Sequence, residues 1–395
     1  MSQSKGSVFH RLYVGTGAFD IVGKRKRWYV LFGVVLLVCL ASIVFRGFNL
    51  GIDFEGGTRI QLPAASASGK ITTDAVKESY TKAVGKEPVT VQTVGTGDSE
   101  TIQLRSETLD ASQVTSLKAA LNNDVKPTGG VGSISDSAVS ASWGGEITTR
   151  ALIALGVFFL AVAIFLALYF EFSMAIAALV AVIHDVVITA GVYSIVGFEV
   201  SPATVIGLLT ILGFSLYDTV VVFDKVKENT RGLLGLTRRT YGEAANLAVN
   251  QTLMRSINTS LIALLPVIGL LAIGVGLLGV GTLKDLALVQ LTGMAIGALS
   301  SIYIATPVAV DLKMRDPKYK AQANRVKARR ENLAKRAAAT GTTVEAAGDV
   351  VESTDDDALA AELRREKALS AAAGAPSRTT KNADARRRPT GKKHR

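Results

Sequence analysis

Residues 151–170 read ALIALGVFFLAVAIFLALYF and residues 174–196 read MAIAALVAVIHDVVITAGVYSIV, with only Glu171, Phe172 and Ser173 between them. Crossing ~30 Å of hydrocarbon at ~1.5 Å per residue takes about 20 apolar residues, so each run has the length of a membrane span. The short connection makes the pair a helical hairpin through a bilayer. Four more such blocks lie outward from it, at 28–45, 202–223, 260–280 and 286–310. Of the 395 residues 48% are hydrophobic, a share that a soluble protein would spread through one or two cores. Segregated into blocks, it predicts a polytopic α-helical membrane protein with six transmembrane helices.

Lys24, Arg25, Lys26 and Arg27 precede the first block, as basic residues precede a signal peptide. The apolar run is longer than a signal core and no small-residue cleavage pattern follows, so a retained signal-anchor helix is expected. The first 27 residues hold six Lys or Arg and 224–255 holds six more, whereas the 198–201 turn holds none and 281–285 only Lys284. Basic loops stay in the cytoplasm, which places both termini and the 224–255 loop there. The net charge of +11 therefore reports topology before it reports nucleic acid. Cys39, the single cysteine, lies inside the first block and excludes an internal disulfide.

Residues 46–149, between the first two blocks, are too polar to insert and too well patterned to be a linker. Residues 58–62 read as a strand, and Val76, Tyr80, Ala83 and Val84 form an amphipathic helical stripe. Val89 and Val91, then Ile102 and Leu104, alternate with polar residues around a hairpin loop at 95–98. Asp110 and Gln113 are spaced as a capping box opening a helix through Val114, Leu117 and Leu121, and 131–139 alternates again. The order β-α-β-β-α-β predicts a ferredoxin-like α+β domain on the extracytoplasmic side. It holds no histidine, cysteine or glycine-rich phosphate loop, so a binding or lever domain is expected rather than an enzyme.

Three ionisable residues fall inside the apolar blocks: His184 and Asp185 in the third, Asp218 in the fourth. A charge at mid-membrane costs at least ~2.5–3.5 kcal/mol on insertion scales, so such a residue faces the bundle interior and serves a purpose. For Asp218 that purpose is reversible proton binding or a hydrogen bond to another helix; a neutral amide would fill the second role more cheaply. His184 and Asp185 point about 100° apart on a helix and fit a proton relay and a helix–helix hydrogen-bond pair equally. Arg255, where the 224–255 loop meets the fifth block, reads as a snorkelling boundary residue or as a counter-charge to Asp218. Gly293 and Gly297 form a G-x-x-x-G that allows close helix packing. No metal ligands are spaced for a site.

Four motifs in order resemble the SecD/SecF family of protein-export membrane proteins. Gly51-Ile52-Asp53-Phe54-Glu55-Gly56-Gly57-Thr58 is similar to that family's G-[IL]-D-F-x-G-G-T signature after the first span. Residues 214–229, Phe-Ser-Leu-Tyr-Asp-Thr-Val-Val-Val-Phe-Asp-Lys-Val-Lys-Glu-Asn, resemble its fourth-helix motif; His184-Asp185 resembles its third-helix pair, and Arg255 with 256–260 the opening of its fifth helix. The resemblance covers roughly residues 20–310. It implies an accessory to the Sec translocon that uses the proton gradient to promote export, with the proton as coupling ion and no cofactor. It also implies Asp218 as the essential acid, Arg255 as its arginine, and a multi-pass place in the bacterial plasma membrane. The implied partners are SecD, the SecYEG translocon, YajC and exported unfolded polypeptides, and the short external domain points to the SecF side of the family.

Three departures stand out. Tyr217 replaces the family's asparagine before Asp218, the interval from Asp218 to Arg255 is a few residues longer than the family's, with an insertion near 232–237, and the tail lies outside the family core. Residues 311–395 hold 21 Lys or Arg against 12 Asp or Glu and few large apolar residues, so a largely disordered basic tail is expected, with short helices at 325–338 and 358–373. Anionic lipid headgroups are one partner it suits. Two other readings compete: a resistance-nodulation-division small-molecule exporter, which would need twelve spans, and a passive translocon scaffold, which would need no buried Asp218.

Overall fold

The computed structural model describes residues 19–66, 69–277 and 281–340. Six helices in it are long and apolar enough to cross a membrane. Span one is Arg25–Arg46, span two Ala141–Tyr169, span three Phe172–Val196 and span four Pro202–Asn229. Span five is Tyr241–Gly269, continued by a π-helical segment Leu270–Leu277. Span six is Gly281–Ser300, a π-helical turn Ser301–Ala305 and a last helix Thr306–Lys313. The chain is thus the six-helix membrane protein that its apolar blocks predict.

The helices outrun those blocks on the side read as cytoplasmic. Span four continues to Asn229 and span five begins at Tyr241, so the 224–255 loop shrinks to 230–240. The polar residues of the early fifth helix have tertiary work. Asn246 Oδ1 accepts from the backbone N–H of Ile21 (2.9 Å) and Val22 (3.0 Å), and Asn250 Oδ1 accepts from Phe19 (2.9 Å), holding 19–22 against the helix. Helix–helix packing elsewhere uses small residues. A Cβ on Gly293 would stand 2.5 Å from Ile211 Cδ1 and one on Gly297 2.9 Å from Ser215 Cβ, so span six lies directly against span four.

Between spans one and two, β1 (Asn49–Leu50) is followed by a short helix Ile52–Glu55, β2 (Gly57–Pro63), β3 (Ala65–Ser66) and β4 (Gly69–Lys70). Helix Thr73–Val84, β5 (Thr90–Val94), β6 (Thr101–Ser106), helix Ala111–Val125 and β7 (Ser135–Val139) complete the domain. The antiparallel sheet has the order β5-β6-β2-β7, with Ile60 opposite Leu104 and Leu62 opposite Ile102. Those four residues and Val76, Tyr80, Leu117 and Leu121 are 0–2% exposed and form one core between sheet and helices. Asp110 caps the second helix as its spacing predicts: its Oδ1 accepts from Gln113 N at 2.8 Å, and Gln113 Oε1 accepts from Asp110 N at 3.0 Å.

Residues 231–240 and 321–340 form a separate compact unit, on helix Pro317–Thr340. Gln322 Nε2 donates to the carbonyls of Leu236 (3.0 Å) and Arg239 (2.7 Å), and Arg325 to that of Leu234 (2.9 Å). The early tail is therefore a longer helix than the 325–338 piece expected, and it has partners. Its binding ground is the 232–237 segment, so two departures from the family pattern belong to one substructure. The 358–373 helix lies outside the described residues.

Candidate functional site

Span four turns one stripe inward: Ile211, Ser215, Asp218, Thr219 and Val222 are at most 3% exposed. Asp218 on this stripe meets spans five and six. Ser256 Oγ of span five donates to Asp218 Oδ1 at 2.5 Å, and Ser301 Oγ of span six donates to Oδ2. The carboxyl is thus fixed by two neutral hydroxyls. Tyr217 is half exposed and turned outward, so the family's preceding asparagine has no local substitute here; the serines on neighbouring helices orient the acid instead.

Asp185 of span three is built in the same way. Its Oδ2 accepts from Ser215 Oγ of span four at 2.5 Å and from Ser300 Oγ of span six at 2.7 Å, and its Oδ1 lies 3.1 Å from His184 Nδ1. The two residues face different neighbours, as a 100° offset requires, and still touch each other. His184 turns its ring edge-on to Phe32 of span one, centroids 5.6 Å apart, and its buried Nε2 has no hydrogen-bond partner among the described residues. Four serines therefore hold two carboxyls that are 1% and 3% exposed. The serines are what the sequence reading missed; each follows helical spacing to a buried acid only once the helices are paired.

Arg255 is not at the loop boundary. It lies well inside helix Tyr241–Gly269, next to Ser256, and so shares the depth of Asp218. Its side chain is exposed, and it is the neighbouring Ser256 that bonds Asp218. Arg255 thus lies within the fifth helix rather than in the 230–240 loop, and among the described residues it makes no ion pair with Asp218. Among the described residues no group of His, Cys, Asp and Glu is arranged to hold a metal ion.

The Gly51–Thr58 signature does a different job. Gly56 and Gly57 have φ of 83° and 128°, a region that other residues rarely adopt. A Cβ on Gly56 would stand 2.7 Å from Ala141 N at the start of span two, and one on Gly57 2.5 Å from Ser106 O of β6. Thr58 is fully buried and its Oγ1 accepts from Leu109 N at 2.9 Å. Asp53 and Phe54 lie on the short helix that brings the chain across span two, where a Cβ on Gly144 would touch Phe54 O at 2.5 Å. Beside the motif, β1 pairs in parallel with β8 (Glu199–Val200), the turn joining spans three and four. Glu199 there receives Arg59 of β2 at 2.8 Å and Arg105 of β6 at 3.7 Å, while Arg105 also donates to Leu50 O at 2.5 Å. The signature is a joint between domain and bundle.

Comparison with known proteins agrees with this anatomy. A family model described as "Protein export membrane protein SecD/SecF, C-terminal" matches residues 119–315, and one described as "SecD/SecF GG Motif" matches 41–67. The chain is 54% identical over 331 residues to a protein translocase subunit SecF of Mycobacterium tuberculosis (strain ATCC 25618 / H37Rv), covering 82% of this chain and 74% of that one. It is 44% identical over 346 residues to the SecF subunit of Streptomyces coelicolor, covering 87% and 89%. The crystal structure of SecDF, a translocon-associated membrane protein from Thermus thermophilus, superposes with a TM-score of 0.64 at 30% identity. That match covers 75% of this chain and 38% of the SecDF chain.

Proposed function

The chain belongs to the SecD/SecF family of protein-export membrane proteins, and from that membership we propose that it is a SecF-like accessory subunit of the Sec translocon. It works with SecD in the plasma membrane, both termini in the cytoplasm, and draws on the proton gradient to promote export of unfolded polypeptides. The SecD partner is suggested by SecDF relatives whose name joins the two, one of which this chain matches over 38% of its length.

One observation supports the proton reading above the others. Asp218 is 3% exposed among apolar helices, and among the described residues its hydrogen bonds come from two serines and no cation. A buried carboxylate without a paired charge is costly, whereas a carboxyl that takes up and gives back a proton needs such a setting. The helix that presents Ser256 to Asp218 also carries Arg255, the preceding residue. A passive scaffold has no use for this arrangement.

Export into inverted membrane vesicles, with and without an imposed proton gradient, tests the reading. Asp218→Asn keeps size and one hydrogen-bonding oxygen but cannot titrate. Vesicles with this variant are expected to assemble with SecD and to export at the gradient-free level whether or not the gradient is present. A full response to the gradient would make Asp218 a structural residue.

A further inference from the structure

The two buried acids meet at one turn of span six. Ser300 donates to Asp185 on span three and Ser301, the next residue, donates to Asp218 on span four. Consecutive helical residues diverge by about 100°, so adjacent serines can serve acids on two different helices only where both helices flank that turn. The approach is as close as backbone allows: a Cβ on Gly297, one turn earlier, would stand 2.9 Å from Ser215 Cβ and 3.1 Å from its Oγ. Ser215 closes the circuit, donating to Asp185 while lying on the same face of span four as Asp218, three residues away.

The helix changes register at this point. Ser301 opens a π-helical turn of five residues, and Pro307 follows in the next helix. A proline ring presses on the carbonyl four residues before it, here that of Tyr303, and a widened turn relieves the clash. Hydroxyls on such a turn are set by its register, and a one-residue change in the position of the wide turn would rotate them away from their present acids.

Resting on the proton-carrying reading above, we propose that Asp185 and Asp218 form one coupled proton-binding pair, with Ser300 and Ser301 as the positioning residues that couple them. The titratable and charged groups on the flanking helices are His184 on span three, with Nδ1 3.1 Å from Asp185 Oδ1, and Arg255 on span five, exposed beside Ser256. Among the described residues neither acid is hydrogen-bonded to a lysine or arginine, so ionisation of both at once is expensive in hydrocarbon. When one acid gains a proton its demand on the serines falls, and the turn shifts toward the acid that remains charged.

Infrared titration of the full chain in lipid vesicles tests this through the C=O band of protonated carboxyls, with Asp185→Asn and Asp218→Asn identifying the two contributions. Ser301→Ala, which removes a donor from Asp218 alone, is expected to move that acid's midpoint by about one pH unit or more and to move the Asp185 midpoint in addition. Ser300→Ala should show the reciprocal pattern, as thermodynamic coupling demands. Ser300→Thr and Ser301→Thr keep the hydroxyl and should leave both midpoints near wild type. If each alanine moves only the midpoint of the acid it touches, the coupling is refuted and the proton-carrying reading stands. If wild type shows no pH-dependent carboxyl band, both fall together.

Discussion

Thr58 shows how a single residue can belong to a signature without touching its chemistry. Its hydroxyl is the acceptor for Leu109 N–H in the dry interior of the external domain, beneath the joint with span two. Thr58→Val keeps the shape and removes the acceptor, leaving a buried N–H unpaired at a cost of about 1–3 kcal/mol. Chemical denaturation of the external domain should register that loss, while gradient-driven export per folded molecule stays unchanged. The serines around Asp185 and Asp218 show the converse. Small and neutral, they attract no notice in the sequence, yet they are the direct partners of both buried acids.

At the scale of elements, the domain between spans one and two has a core of its own and an antiparallel sheet whose central strands, β6 and β2, are paired on both sides. We expect residues 58–141 to fold alone in the ferredoxin-like β-α-β-β-α-β order, and their stability to depend on acid. Ser112 Oγ and the Gln113 N–H hold Asp110 below its ordinary 3.8, and Lys86 holds Glu107 below its ordinary 4.5. A depressed carboxyl contributes stability that is complete above the unfolded value and is lost as pH falls through the folded one. The urea midpoint should therefore be flat from pH 7 to 5 and decline below 4.5. Asp110→Ala should lower the midpoint at neutral pH and flatten part of that decline, because it removes both the cap and the titration. A midpoint that rises on acidification would contradict the assignment.

Over the whole molecule, two unlike surfaces meet at the membrane. Spans one and two leave many of their apolar residues exposed, Val44, Phe45, Leu160 and Leu168 among them, as helices in contact with lipid or a partner subunit do. The joint at Glu199, with Arg59 and Arg105, fixes the external domain to the turn between spans three and four. A cysteine at Glu87 should react with a membrane-impermeant thiol reagent on intact cells, and one at Gly235 only after the membrane is opened. The reverse pattern would invert the topology and remove the export reading with it.

The sequence by itself determined the six spans, the β-α-β-β-α-β order and the place of Asp218. These depend on local quantities: the length of an apolar run, a period of two or 3.6 residues, the spacing of a cap, a charge where hydrocarbon forbids one. Even the Gly51–Thr58 signature was legible as a motif, though not as the joint it forms. Three matters were settled only by tertiary structure. Arg255 lies inside its helix at the depth of Asp218, because Asn246 and Asn250 have backbone partners in residues 19–22 and the helix extends past the apolar block. Gln322 and Arg325 give the early tail an ordered partner that its composition concealed. The four serines find their acids across helices 30 to 115 residues apart in the chain, and a serine's spacing within its own helix says nothing about which carboxyl another helix will present to it.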